Sequence, residues 1–408
     1  MHFSGANMAA LFTDLWCGKM KNYAPDDRAT WDWAVLVNDV WEEHGAAVAA
    51  CRPYLPGSFD NPPRNPAEKM NTHYKAREYI TWLFGLAPAL LYGILPHKYW
   101  LNFCKFTQAL RIMSQYSINS AQLMDAFIKF AEWEGEFEEI YYQRLAHRLH
   151  FIRPCVHLSN HLALKASRVG SPICSSQWTM ERTFADVEFD LRQPKLPYAC
   201  LTQVCSLRCQ TNAIKSMFPH FDPPDVLAPR YSLDIGNGYV LLRARDKRSR
   251  CAASPAEAAA MADFLGHEAP KFFRWARLHL PNGQISRSAW KEKDRPVEHS
   301  RSARNIKAKW HFKNVAIVSL YSPPDAALLE LSFGTVWSCK HQGDRGLHVV
   351  EIEQIQAVVA VIPHRPTLPS GVTEDRFFVV ERTGLDVSMT GVFLEENDDN
   401  VDSDEEEG

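Results

Sequence analysis

Through the first half of the chain apolar residues recur at three- and four-residue spacing, which predicts amphipathic helices. Only beyond Trp310 does the pattern change to short β-branched runs bounded by turn residues. The helical spacing covers Ala9–Trp16 and Trp31–Ala50, and the Pro- and Asn-rich stretch Pro53–Pro66 reads as a loop. The helical pattern resumes at Met70 and runs to Leu91, with Pro88 an expected break because proline lacks the N–H an inner turn needs. Pro96 ends the next piece, and Tyr99–Ser117 makes another helix. Asn119 with Gln122 three residues on has the form of a capping box. The helix after it is expected to bury Leu123, Phe127, Phe130, Phe137, Tyr141 and Leu145. Its acids (Glu132, Glu134, Glu136, Glu138, Glu139) precede Arg144, His147 and Arg148, a polarity that suits the helix dipole. These acids alternate and read as solvated surface. Leu201–Met217 is a further helix.

Tyr231–Ala244 reads as a hairpin, since Asn237-Gly238 supplies a type I′ turn. Ser254-Pro255-Ala256-Glu257 is a helix start with cap, proline and reciprocal glutamate, and that helix ends near Gly266. A second helix carrying Lys271, Arg274 and Arg277 is expected to follow, then a polar, basic loop over Pro281–Lys307. VAIVSLYS, LLELSFGTVWSC, HVVEIEQIQAVVAVI and RFFVVER read as strands. The fold class is therefore α+β. A mainly helical region spans 1–222, and a hairpin, helix pair and basic linker span 223–307. A small antiparallel β-domain spans 308–394, and an acidic tail, expected to be unpacked, spans 395–408.

Composition narrows the function classes. A chain of 408 residues with 46% hydrophobic and 23% charged residues has room for two or three ordinary globular domains. The net charge of −3 gives no global sign of a polyanion partner, but its distribution does. Leu242–Lys313 holds 17 Lys/Arg against 7 Asp/Glu, and Glu395–Glu407 holds nine acids and no base. The ten cysteines include no CxxC pair, so buried free thiols in a reducing compartment are expected, not a zinc cluster. Asp14 interrupts the N-terminal apolar run, which excludes a signal peptide. Gly85, Pro88 and Gly93 break the longest apolar run, Ile80–Leu95, which excludes a membrane span. An intracellular protein with no small-molecule site is expected.

Chemistry-bearing residues concentrate between His147 and Gln193. His157 and His161 stand at helical spacing within HLSNHL, and Trp178 precedes the Glu181-Arg182 pair within QWTMER. Two histidines four apart on a helix can bind metal, and His147 and His150 lie near in sequence. There is no HExxH, and such histidines are more often hydrogen-bonded core residues. Glu181, taken alone, is a surface salt-bridge residue.

The order HLxxHL then QWxxER resembles the C-terminal part of the transposases of CACTA-type (En/Spm-like) DNA transposons. TWDWAVLVNDVWEEHG, PPRNPAEKMNTHYKAREYITWLFGLAPALLYGILP and SFGTVWSC…HVVEIEQIQAVVAVIPH also resemble segments of that family, so the likeness is scattered over most of Met1–Asp386. Lys75 and Glu78 match its Lys-x-x-Glu. Met1-His2 before FSGANM resembles its Asp-x-Met-His-Leu segment, cut just after the aspartate. The resemblance implies that Glu181 is the last acid of an Asp-Asp-Glu triad. The two aspartates and the strands of an RNase H-like core would lie upstream of Met1, and the first half of this chain would be the helical insertion. Strand transfer uses two Mg²⁺ ions held by several carboxylates, and one carboxylate cannot clamp both. The resemblance thus implies a catalytically incomplete, transposon-derived protein. No cofactor is expected, and Mg²⁺ enters only if the missing half is supplied. The implied partners are DNA and another transposase chain, in the nucleus. Two alternatives stay open. One is a nucleic-acid-binding module using Arg243, Arg245, Lys247, Arg248, Lys271, Arg274 and Arg277. The other is an active transposase half completed in trans. In the first reading Glu181 lies on a helix, facing solvent or paired with Arg182, Arg144 or Arg148, beside an exposed apolar patch.

Overall fold

The computed structural model describes residues 2–59, 61–70, 73–191, 195–221, 232–244, 254–269, 273–288, 307–311 and 313–384. The chain is α+β, with no strand among the described residues before Leu233. The helices are α1 (Ala9–Trp16), α2 (Asn38–Ala50), the short α3 (Pro66–Lys69) and α4 (Ala76–Tyr79), α5 (Ala87–Leu90), α6 (His97–Met113), α7 (Ser120–Phe137), α8 (Pro154–Val169), α9 (Trp178–Asp190) and α10 (Pro197–Met217). Two more, α11 (Pro255–Leu265) and α12 (Ala326–Leu331), lie among the strands.

Local signals set several of these boundaries. Asn119 Oδ1 accepts from the Gln122 N–H at 2.8 Å while Gln122 Oε1 accepts from the Asn119 N–H at 3.0 Å, closing the capping box of α7. Ser254 and Glu257 do the same for α11, which ends on Gly266 at φ +71°. Elsewhere tertiary packing overrides the pattern. The helical spacing from Trp31 is realised only from Asn38, because Trp31 and Trp33 dock as non-helical anchors. Trp33 meets Tyr141 and Phe151 edge-on, and the Leu36 N–H donates to the Trp16 carbonyl at 2.8 Å. The run expected from Met70 begins at Ala76. Pro88 does not break it: a π-helical stretch, Ile80–Leu86, precedes the proline, and α5 passes through it. The Pro88 carbonyl accepts from Trp100 Nε1 at 2.8 Å.

An aromatic core joins α1, α6 and α7. Phe12 stacks on Trp16 at 5.1 Å, Phe103 meets Trp16 edge-on at 4.9 Å, and Phe106 lies 4.7 Å from Trp133. Trp16 Nε1 donates to the Tyr141 hydroxyl at 3.1 Å, so the indole is buried with its polar atom satisfied. On α7 the buried face is Ala126, Phe130, Trp133 and Phe137. Phe127, assigned to that face from spacing, is 45% exposed.

The C-terminal part differs from the expected layout. The hairpin forms as read: β1 (Leu233–Gly236) and β2 (Tyr239–Ala244) flank Asn237 at φ +51° and Gly238 at φ +79°. The expected second helix is instead strand β3 (Phe273–His279), which pairs with β2, β4 (Ile285–Arg287) and β5 (Lys307–His311). Its Ala276, Leu278 and the following Leu280 alternate inward, a period of two that neighbouring strands satisfy better than a helix would. β4 lies inside the segment read as loop. Continuing through β6 (Lys313–Ser319) and β8 (Leu347–Glu351), the strands form one antiparallel seven-stranded sheet in the order β1-β2-β3-β5-β6-β8, with β4 on β3. The boundary drawn near residue 307 therefore runs through a sheet.

LLELSFGTVWSC is not one strand: it forms α12, capped by Asp325, and then β7 (Trp337–Cys339). β7 pairs with β10 (Arg376–Val380), and β10 with β9 (Ala360–His364). This three-stranded sheet is no separate domain, because Ala360, Ile362, Phe378 and Val380 share one buried core with the helices. The buried Arg111 guanidinium fastens the two parts, donating to the carbonyls of Phe84 (2.9 Å), Gly85 (3.2 Å) and Thr335 (2.9 Å). Burial lowers its pKa to about 10, against the opposing pull of Cys104 and Glu381. The acidic tail 395–408 lies outside the described residues.

Candidate functional site

Glu181 occupies the first turn of α9, where the helix dipole favours an anion. Its side chain is half exposed, and its ionic neighbour is His2, with Nε2 4.0 Å from Oε1. Of the bases proposed from sequence, Arg148 is engaged elsewhere. Arg148 is buried against Asp26, donating at 2.6 and 2.9 Å, and the side chain of Arg182 lies outside the described residues, as does that of Trp178. His2 lies 179 positions from Glu181 in sequence, so no local spacing could pair them. The π-helical segment Phe3–Met8 that follows His2 brings it there by packing against α8. His2 also lines an open cleft of about 380 Å³ with Ala6, Ala10, Tyr74 and Tyr79. Burial raises the pKa of both tyrosines, which keeps their hydroxyls protonated.

Several apolar side chains of α9 are exposed. On α9, Met180 is 55% exposed, Phe184 60% and Phe189 80%. On α10 no side chain is buried.

His157 and His161 sit together on α8 with their Nε2 atoms 3.1 Å apart. His157 Nδ1 lies 3.3 Å from the Glu134 carboxylate, which Asn160 also contacts. His147 and His150 turn to other partners, Asp26 and the Lys21 carbonyl. Among the described residues no group of three or more His, Cys, Asp or Glu is placed to hold a metal ion.

Lys75 and Glu78 act at a helix start. Lys75 is the N-cap of α4, and Glu78 accepts from its backbone N–H at 2.8 Å. Glu78 is buried and takes the Arg64 fork at 2.7 and 2.9 Å. Burial alone would raise its pKa, but the Arg64 and backbone donors outweigh it and hold the carboxylate below its ordinary range. This is structural chemistry.

The basic residues proposed for nucleic acid fall on the sheet or outside the described residues. Arg245, Lys247, Arg248 and Lys271 lie outside. Arg243 stands on β2 and Arg274 and Arg277 on β3, with Arg277 in register with Arg287 of β4 and Arg274 with Lys309 of β5. The described cysteines are all free: Cys17, Cys51, Cys104, Cys155 and Cys339 are buried, whereas Cys174, Cys200, Cys205 and Cys209 are not. Burial pushes the Cys51 and Cys104 thiols up to about 12, which leaves them unreactive.

Comparison of the chain with models of known protein families, with curated proteins and with solved structures yields no match. No helix among the described residues is long and apolar enough to cross a membrane.

Proposed function

We propose that this chain is a transposon-derived protein equivalent to the C-terminal part of a CACTA-type transposase, without strand-cleavage activity of its own. It acts in the nucleus on DNA, alongside another transposase chain. One observation carries this reading: Glu181 stands half exposed on a helix whose Met180, Phe184 and Phe189 are uncovered. A surface that pairs one acid with unburied apolar side chains is suited to be completed by a second surface bearing the other acids. In the present chain the acid has a histidine as its ionic neighbour, and a single carboxylate holds no two-metal site.

The test is Mg²⁺-dependent cleavage of transposon-end DNA by the purified chain, with and without a polypeptide carrying the family's upstream half. The chain alone leaves the DNA intact. With the upstream half it cleaves, and Glu181→Gln abolishes that cleavage. Cleavage by the chain alone that is lost in Glu181→Gln would overturn the proposal.

A second reading, a nucleic-acid-binding module, draws on the distribution of bases over one sheet. Arg243, Arg274, Arg277, Arg287, Lys307, Lys309 and Lys313 lie on strands β2 to β6 of one sheet. Bases gathered on one sheet suit a polyanion partner, whose phosphates they would neutralise. A salt titration of DNA binding decides: each phosphate contacted contributes a slope of about −0.9 in log K against log salt, and a flat profile removes this reading.

A further inference from the structure

Two segments form the cleft beside His2. One wall is the π-helical segment Phe3–Met8 with the start of α1, which presents Ala6 and Ala10. The other is α4 with Tyr74 before it, which presents Ala76 and Tyr79. The walls meet at Gly5, where a Cβ would come within 2.8 Å of the Ala76 Cβ, so a side chain there would push them apart. Tyr79 is half-buried and braced by two rings: Tyr74 lies 4.7 Å away at 67°, and Trp82 6.1 Å away at 31°. The Tyr74 hydroxyl donates to the Arg64 carbonyl at 3.0 Å, which fixes that ring in turn. The cleft therefore sets methyl groups on one side against a braced aromatic ring on the other, in about 380 Å³. That is the low end of the range for ligand sites, and it suits one flat ring. Among the described residues no Lys or Arg lines it, and the Glu181 carboxylate stands at its mouth, beside His2.

We propose that this cleft receives one unpaired nucleobase of the DNA, next to the strand position that Glu181 addresses. The inference rests on the DNA reading of Glu181 given above. A phosphate is disfavoured inside, because no Lys or Arg of the lining would balance its charge and Glu181 would repel it. An uncharged nucleobase meets neither obstacle. It stacks on Tyr79 over Ala6 and Ala10, with the His2 imidazole and the Tyr79 hydroxyl available to its polar edge. The sugar and its phosphates stay at the mouth, toward Glu181. The π-helical wall accords with this use, since such turns recur at functional sites.

Binding of the full chain to two duplexes tests the proposal, one blunt and one ending in a single unpaired 2-aminopurine nucleotide. The fluorescence of the unpaired base is expected to fall as it stacks. The overhang duplex binds more tightly than the blunt one by roughly 5- to 150-fold, the worth of one base–aromatic stack. Tyr79→Ala removes that preference, and Tyr79→Phe keeps it. Ala10→Trp removes it too, by filling the cleft from an exposed position, and its far-UV circular dichroism stays that of the parent. Equal binding of both duplexes with unchanged fluorescence, or a preference that survives Ala10→Trp, overturns the inference and leaves the DNA reading in place. A chain that binds neither duplex overturns both.

Discussion

The body built on α1, α6 and α7 and the pair α9–α10 have the same helical spacing and opposite fates. In the first, Phe12, Trp16, Phe103, Phe106, Phe130 and Trp133 are fully buried. In the second, Phe184, Phe189, Leu207 and Ile214 are half or more exposed. Amphipathic spacing thus specifies that a helix has an apolar face, but not that its own chain covers that face. The difference separates a region whose apolar side chains meet one another from one whose apolar side chains the other described residues leave exposed.

The comparison is broken or sharpened first by truncation. Phe106→Ala or Trp16→Ala should lower unfolding stability by roughly 3–5 kcal/mol, whereas Leu207→Ala should change it by less than about 0.5 kcal/mol. Urea midpoints read both, and a large loss at Leu207 would place α10 inside the cooperative unit. Next in size are the buried charges. Asp26→Asn should cost roughly 3 kcal/mol, because it strips the buried Arg148 of its carboxylate, and Arg111→Met about as much, because it leaves three backbone carbonyls unpaired. If Arg111→Met is neutral, the three-stranded sheet is not fastened to the helices through that side chain.

A smaller effect is set by pH. Burial lowers His44 and His364 to about 4, below the ordinary histidine value of 6.5. Between those values the unfolded chain binds protons that the folded chain does not, so stability is full above pH 6.5 and declines as pH falls toward 4. His364→Gln should flatten part of that decline. Asp26 adds a step at more acidic pH: its hydrogen-bonded pair with Arg148 holds the carboxyl below its ordinary value. That contribution is present above the ordinary value and is lost as pH falls through the depressed one. The smallest effect is expected at Glu181, where Glu181→Gln should leave the urea midpoint within about 0.5 kcal/mol, since the side chain is half exposed. A larger loss would make that residue part of the folding core.

Where local chemistry was decisive, the sequence was sufficient. The capping boxes at Asn119 and Ser254, the Asn237-Gly238 turn, the α+β class and the helical character up to the hairpin all follow from side chains within four residues of one another. These interactions exist before any tertiary contact does. The segment around Arg274 and Arg277 lay beyond that reach. Its apolar residues fit either period in so short a run, and only the presence of β2 and β5 on both sides decided for a strand. The same holds for the boundary near 307, since strand pairing joins residues far apart in the chain. It holds too for Trp31 and Trp33, which left a helix to dock on Phe151, Tyr99 and Tyr141. The candidate site divides likewise. That Glu181 lies on a helix was legible from its neighbours. That His2 stands beside it, that Arg148 is taken by Asp26, and that Phe184, Phe189, Leu207 and Ile214 stay exposed are long-range facts, which only the packing of distant segments could decide.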